Sequence, residues 1–345
     1  MSSKSSSEFE ADTAANLFRM NQARLRVPLS WVATTEQQPA TNFGDGLSAL
    51  VVSALADLPV ERANFDQASE RLVAVGTIGH NQKNGVLHFW GTGIDATRNP
   101  VGVDGPYQRP PETEFHIHAL RGPVSADTFQ IAGIDAPAVY GDPVWLLPRI
   151  WPLDDVEKTH DIGVVLHISE LTEQNPEAVV RDIYARYQVP EDMQGSIKLI
   201  NTFAPATVDG MRDKVREILS CRRILSTSLH GLVIAETYGV PCAWFATYGS
   251  GETVELDLVD PETKVDHRIR DFYRGLGRTH IQTYAQDRKF PTDWKNAIKF
   301  IDSYWKRETE YDPVPLIRAF PLPRRSDAEA KIWDVDDTVF GHVPF

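Results

Sequence analysis

The chain has little cysteine. Only Cys221 and Cys242 occur in 345 residues, and neither lies in a Cys-x-x-Cys pair. That excludes a disulfide framework and a cysteine-rich zinc module, and it suits a reducing compartment. Long hydrophobic runs are also missing. No stretch reaches the roughly 18 apolar residues of a membrane-spanning helix. Residues 1–8 are Ser-rich, with no apolar core behind a basic start, so no signal peptide is expected. Positive charge is the third shortage: 35 Lys and Arg face 48 Asp and Glu, a net charge of −13. A general nucleic-acid binder needs a basic surface to displace counterions, so no nucleic-acid partner is expected.

What is present is ordinary globular material, 42% hydrophobic and 24% charged, in a chain long enough for two domains. Leu47, Leu50, Val51, Ala54 and Leu55 recur at helical spacing over 46–58. Short strands are predicted at 72–75, 86–90 and 116–120, each followed by a glycine-bearing turn. Residues 148–160 hold two prolines and no periodicity, which marks a junction. Beyond it come a strand at 162–168, a helix at about 176–187 and a strand at 197–203. A helix carrying Met211, Val215, Ile218 and Leu219 follows, then a strand at 223–226, a helix at 229–238 and a strand at 241–245. Trp294, Ala297, Ile298, Ile301 and Trp305 pattern a last amphipathic helix. Strands alternating with helices predict an α/β fold of two Rossmann-like halves facing a cleft, with ligands at the carboxyl ends of the strands. The expected organisation is a polar arm (1–25), an N-terminal Rossmann-like domain (26–155), a C-terminal Rossmann-like domain (156–305) and a tail (306–345).

The turns carry the chemistry. Ser226-Thr227-Ser228-Leu229-His230-Gly231 joins a buried strand to an almost wholly apolar helix. A helix start offers N–H groups and a positive dipole end to an anion, and His230 in its first turn can deliver a proton. A capped helix with a packed histidine explains the same residues equally well. Asn42-Phe43-Gly44-Asp45-Gly46 has the same logic, with Asp45 able to accept a hydroxyl proton or simply to cap the helix. Arg121 at a strand end suits an anion contact. Arg268, Arg270 and Arg274 form the best local cluster of positive charge in an acidic chain. His116 and His118 share one strand face, but no third histidine or carboxylate at suitable spacing completes a metal site, so none is expected.

Taken in order, the turns resemble the polysaccharide pyruvyltransferase family, most closely its bacterial exopolysaccharide ketal branch. The resemblance spans about residues 30–280. It rests on Asn42–Asp45, Gly76–Ile78, Trp90–Ile94, Arg121–Pro123, Tyr140–Pro143, Ser228–Pro241 and Asp271–Tyr273. It implies a glycosyltransferase-B-like fold and no cofactor, with phosphoenolpyruvate as the pyruvyl donor. The implied acceptor is a terminal hexose of a lipid-linked oligosaccharide or polysaccharide. It also implies a cytoplasmic enzyme working at the inner face of the cytoplasmic membrane through peripheral association. By the same resemblance His230 is the acid that contacts phosphoenolpyruvate, and Asp45 binds or activates the acceptor hydroxyl. Asn42, Gly44, Ser228, Leu229 and Gly231 line the substrate. Arg121, Arg268 and Arg270 bind anionic groups, and His167 faces the same region. The chain departs from some relatives at Ser228, where they carry arginine; Arg222, Arg268 and Arg270 are the nearest substitutes in kind. Two other readings fit the sequence: a nucleotide-sugar glycosyltransferase using Glu236 on the ribose, and a non-catalytic polysaccharide-binding protein.

Overall fold

The computed structural model describes residues 26–36, 38–102, 105–324, 326–341 and 343–345. The expected polar arm, 1–25, lies outside the described residues. Strands β1 to β6 are Val27–Ser30, Ala40–Asn42, Val60–Arg62, Arg71–Val73, Gly85–Thr92 and Thr113–Leu120. Strands β7 to β13 are Ile162–Val165, Ile197–Ile200, Phe203–Pro205, Ile224–Ser226, Cys242–Ala246, Ser250–Asp257 and His280–Gln286. Among the described residues the α-helices of five residues or more are α1 (Phe43–Ala56), α2 (Pro123–Ile131), α3 (Val208–Leu219), α4 (Leu229–Tyr238), α5 (His267–Gly275), α6 (Trp294–Tyr304) and α7 (Val314–Arg318).

The chain forms two compact units. The first takes in the described residues up to Ala33, Leu47–Ile150 and Asp312–Phe345, and contains a five-stranded sheet of order β3-β1-β4-β5-β6. All its pairings are parallel. The second takes in Thr34–Gly46 and Trp151–Tyr311, and contains a six-stranded sheet of order β12-β13-β11-β10-β7-β8. That sheet is parallel except where β12 runs antiparallel on the edge of β13. A separate two-stranded ribbon pairs β2 with β9. The fold is therefore mixed α/β with parallel sheets, and buried parallel strands explain the unbroken apolar runs at 162–166 and 242–246.

The division between units falls inside α1, between Gly46 and Leu47. Leu47, Leu50, Val51 and Leu55 are fully buried, and so are Ala49 and Val52 on the other flank. A helix apolar all round belongs inside a core, where each buried Leu or Val contributes roughly 1.5–3 kcal/mol. Helix α4 is the same case in the second unit: Leu232, Val233, Ile234 and Ala235 have no exposed surface.

The helix expected at about 176–187 does not form. This stretch is irregular, with a bridge between Leu171 and Val180 and a single 3-10 turn at Ala185–Tyr187. Its apolar residues divide in a way one helix face would not: Val179 and Ile183 are 62% and 72% exposed, while Ala178, Val180, Tyr184 and Tyr187 pack on the core. Asn201 Nδ2 donates to the carbonyls of Asn175, Pro176 and Ala178, occupying acceptors that a helix would use itself. The strand expected at 162–168 stops at Val165, and His167 opens a one-turn 3-10 helix.

Tertiary pairing adds a third histidine to His116 and His118. His88 on β5 stacks on both, with ring centroids 4.9 and 5.3 Å apart. Its Nδ1 lies 3.0 Å from His118 Nε2, and its Nε2 lies 2.9 Å from Glu70. Among the described residues no cluster of His, Cys, Asp and Glu is set to hold a metal ion. Burial, then the neighbouring His88 and His116, push the His118 imidazole down to about 3. A histidine whose folded pKa is depressed takes up its proton first in the unfolded state, so stability falls as pH drops through about 6.5 towards the folded value. Acidifying from near neutrality to about pH 5 is expected to cost about 2 kcal/mol at this residue. Thermal melts of wild type and His118→Gln across that range check it: the variant should show the shallower pH slope, and parallel slopes would contradict the assignment.

Candidate active site

Strand β10 ends at Ser226, and α4 begins three residues later. Ser226 Oγ accepts from Ser228 N at 3.0 Å and donates to Ser228 O at 2.7 Å, closing the turn on itself. Ser228 is the N-cap of α4 by position, yet its side chain makes no capping bond. The helix start is therefore held by Ser226, with no side-chain capping bond from Ser228. Ser228 and Leu229 are buried, and His230 is 9% exposed in the first helical turn. Gly231 lets the helix close on the sheet, since a Cβ there would meet Ser226 Oγ at 2.4 Å and Val165 Cβ at 2.7 Å.

The Asn42–Gly46 segment belongs to the same unit. Pairing of β2 with β9 and a bond from Phe43 N to Thr202 O (2.9 Å) hold it there. Asn42 Oδ1 accepts from Gly44 N at 3.1 Å, a side-chain turn that starts α1. The Phe43 ring meets His230 edge to face, with centroids 6.4 Å apart. Gly44 is closer still: a Cβ built on it would lie 2.0 Å from His230 Nδ1. The backbone of one motif thus forms the wall against which the histidine of the other sits. Asp45 follows in the first turn of α1, half-buried. Desolvation pushes its carboxyl up to about 7. A carboxyl titrating near neutral pH is suited to general acid–base work.

His167, Arg268 and Asp266 form a closed chain. Arg268 grips Asp266 with Nε (2.9 Å) and Nη2 (2.7 Å), and its Nη1 donates to His167 Nε2 at 2.9 Å. Because the guanidinium only donates, His167 Nε2 must accept; Nδ1 lies 2.8 Å from Ser169 Oγ and 3.3 Å from Ser169 N. Burial, then the Arg268 cation, hold the His167 imidazole down at about 4, so it is neutral. Arg270 points elsewhere: its terminal nitrogens bond the carbonyls of Leu258, Asp260 and Thr263. Arg222 lies before β10, at the opposite strand end from the turn, 3.6 Å from Asp161.

Glu236 is also spoken for. Its side chain is 1% exposed and receives Tyr273 Oη at 3.0 Å, Trp305 Nε1 at 3.3 Å and Arg278 at 3.4 Å. Two of the sequence motifs meet in this bond between Glu236 and Tyr273. Such a carboxylate is a structural anchor and is not available to a ribose.

Arg121 stands in the first unit, 1% exposed, with Nη1 donating to Thr77 Oγ1 at 2.7 Å. Around it gather the other first-unit motifs. Thr77 bridges Gly93, Gly93 N donates to Gly76 O (2.9 Å), and Leu120 bridges Tyr140. A Cβ at Gly93 would sit 2.3 Å from Arg121 Nη2, so that glycine is explained by the buried guanidinium. The structure thus brings Asn42, Gly44, Asp45, Ser228, Leu229, His230 and Gly231 together in the second unit. It joins His167 to Arg268 and turns Arg270 onto backbone carbonyls, while Arg121 belongs to the first unit.

Sequence reasoning missed the support beneath the turn. Thr227 Oγ1 donates to Glu170 Oε2 at 2.5 Å and accepts from His167 N at 2.9 Å. Glu170 is fully buried, and Arg288 Nε lies 3.3 Å from its Oε1. Thr227 stood in plain view inside the turn; Glu170 and Arg288 follow β7 and β13, and only the strand order brings them near it.

Fold and site define an α/β protein whose polar centre is built from strand-to-helix turns at the ends of a parallel sheet. The chain belongs to the polysaccharide pyruvyl transferase family: the family's sequence model matches residues 42–248, from the asparagine of the first turn to the end of β11 and just beyond. Membership makes it a transferase and implies a polysaccharide acceptor. No curated protein matches the chain at a significant level. Among the described residues no helix is long and apolar enough to cross a membrane.

Proposed function

We propose that the protein transfers the pyruvyl unit of phosphoenolpyruvate to a terminal hexose of an exopolysaccharide repeat unit, forming a cyclic ketal and releasing phosphate. The observation that carries this reading is the packing of His230 against Gly44 in a family member, one residue from a carboxyl that titrates near neutrality. The reaction needs an acid and a base in one place. His230 protonates the methylene carbon of the enol, which leaves an oxocarbenium-like centre at the neighbouring carbon. Asp45 takes the proton of the first sugar hydroxyl as its oxygen bonds to that centre. The carbon–oxygen bond to phosphate then breaks, phosphate leaves, and the second hydroxyl closes the ketal with loss of its proton.

The fold class we propose for the two sheets is glycosyltransferase-B-like, with Rossmann-like halves. The acceptor hexose is carried on a lipid-linked oligosaccharide, and the enzyme works at the inner face of the cytoplasmic membrane without crossing it. The engaged state of Glu236 speaks against a nucleotide-sugar reaction, which wants a free carboxylate for the ribose. The test is to incubate the protein with phosphoenolpyruvate and a panel of galactosyl and glucosyl acceptors, measuring phosphate release and the mass gain of a ketal. Turnover is expected with at least one acceptor and is expected to vanish in His230→Ala, whose melting temperature should stay close to wild type. Silence across the panel would sink the reading, and wild-type rates in the variant would remove His230 from the mechanism.

A further inference from the structure

A phosphate dianion bound at the Ser226–Gly231 turn calls for a formal cation beside the helix start, and Ser228 supplies none. Arg268, Arg270 and Arg222, the nearest substitutes in kind, do not supply it. Arg268 spends Nε and Nη2 on Asp266 and Nη1 on His167. Arg270 spends both terminal nitrogens on carbonyls, and Arg222 lies at the wrong end of β10.

Arg288 differs in each respect. It follows β13, two residues past Gln286, yet its Nε reaches Glu170, which follows β7. In the strand order β13-β11-β10-β7, that contact runs across the carboxyl ends of β11 and β10, the end from which the Ser226–Gly231 turn departs. Its only side-chain hydrogen bond among the described residues is the one from Nε to Glu170, so neither terminal nitrogen is spent on an acceptor there. The side chain is 39% exposed, and its guanidinium lies 5.4 Å from the centroid of the Tyr184 ring. It is fastened to the turn through Glu170, which holds the Thr227 hydroxyl at 2.5 Å.

A second guanidinium reinforces it. Arg186 is fully buried, with Nη2 on the carbonyls of Phe245 and Ala246 at the end of β11. Its guanidinium lies 3.5 Å from the centroid of the Phe245 ring, and its Nε and Nη1 have no hydrogen-bond partner among the described residues. Arg186 N also bonds Arg288 O, which ties the two residues together. Glu170 is the buried carboxylate they share, while Asp287 turns one oxygen to Lys289 N. An unbalanced cation pair at a strand end is costly unless an anion completes it.

We propose that Arg288, backed by Arg186 and anchored by Glu170, binds the phosphate group of the donor at the Ser226–Gly231 turn. This rests on the phosphoenolpyruvate reading above. The fork matches two phosphate oxygens, and its Nε anchor fixes the plane of the guanidinium before substrate arrives.

The test is phosphate-release kinetics on the full chain for wild type, Arg288→Ala, Arg288→Lys and, as a remote control, Arg222→Ala. Arg288→Ala should raise KM for phosphoenolpyruvate by about 10- to 100-fold, with a smaller change in kcat and none in the acceptor KM. Arg288→Lys keeps a charge for Glu170 but not the fork, so it should recover part of the loss; Arg222→Ala should match wild type. Inorganic phosphate should raise the melting temperature of wild type and not of Arg288→Ala. If the alanine variant does not fold, Arg288→Lys decides, since its KM must still rise by about fivefold or more. Wild-type turnover with an unchanged donor KM and phosphate shift in the folded variants would overturn this assignment alone. Absence of turnover in wild type would overturn the parent reading and the assignment with it.

Discussion

Replacing Gly44 by alanine is expected to lower the transfer rate by about 100-fold or more while leaving the protein folded. The added methyl would stand 2.0 Å from His230 Nδ1 and 2.5 Å from Cγ, inside any tolerable contact. One of the two must move, and α1 is the less free. Its start is fixed by β2 pairing with β9 and by Phe43 N on Thr202 O. The imidazole is the part that can rotate, so the clash is resolved by turning His230 away from its wall. In stability terms the change is nearly balanced. Alanine is favoured over glycine within a helix by about 1 kcal/mol, and the local overpacking costs about 1–3 kcal/mol. Activity and melting temperature should therefore separate: phosphate release collapses while the melt moves by only a few degrees. A folded Gly44→Ala enzyme with wild-type turnover would show that the position of His230 does not matter to the chemistry.

That prediction joins two residues 186 positions apart, and it marks where sequence reading stops. The elements around the site were legible because their signals are local. The limits of α4 follow from an apolar run that ends at Gly239, and α3 follows from one apolar face. The strands at 86–90 and 116–120 follow from β-rich runs before glycine turns. Their order in the sheet is a matter of long-range pairing that no local pattern encodes. So His88 was not seen joining His116 and His118, nor Glu70 joining His88. The contact of Arg288 with Glu170 likewise depends on where β13 lies in the sheet. The failed helix at 176–187 has the opposite cause. A helical spacing of apolar residues was present, but Asn201 took its carbonyls, and Val179 and Ile183 stayed in solvent while Ala178, Val180 and Tyr184 packed on the core. At the site itself the residue types of His230 and Asp45 were legible, while the contact that gives Gly44 its purpose was not. A glycine reports its reason only through what would collide with a side chain.

Asp45→Asn is the second large effect, and it should move activity and stability in opposite directions. Asparagine keeps the shape of the carboxylate and cannot take a proton, so transfer should fall by about 100-fold or more if Asp45 is the base for the acceptor hydroxyl. Wild-type kcat should rise with pH along a limb centred near 7, the value to which desolvation pushes this carboxyl. The stability effect follows from the same shift. A folded pKa above the unfolded value of 3.8 means that the native state holds the proton more tightly. That contribution is complete below about pH 4 and is lost as pH rises through 7. Above neutrality the wild type therefore carries an ionised, desolvated carboxylate with no hydrogen-bond partner among the described residues. Asparagine removes that burden and should stabilise the protein by roughly 2 kcal/mol above about pH 7, with the gain shrinking as pH falls towards 4. Paired melts and pH–rate profiles of the two proteins are the measurement. A variant that is inactive and no more stable at high pH would mean that the carboxylate is satisfied in solution. A variant that is more stable and still active would mean that Asp45 is a strained residue outside the chemistry. The expected pattern, a dead enzyme that melts higher, is the signature of a group held at a cost because the reaction needs it.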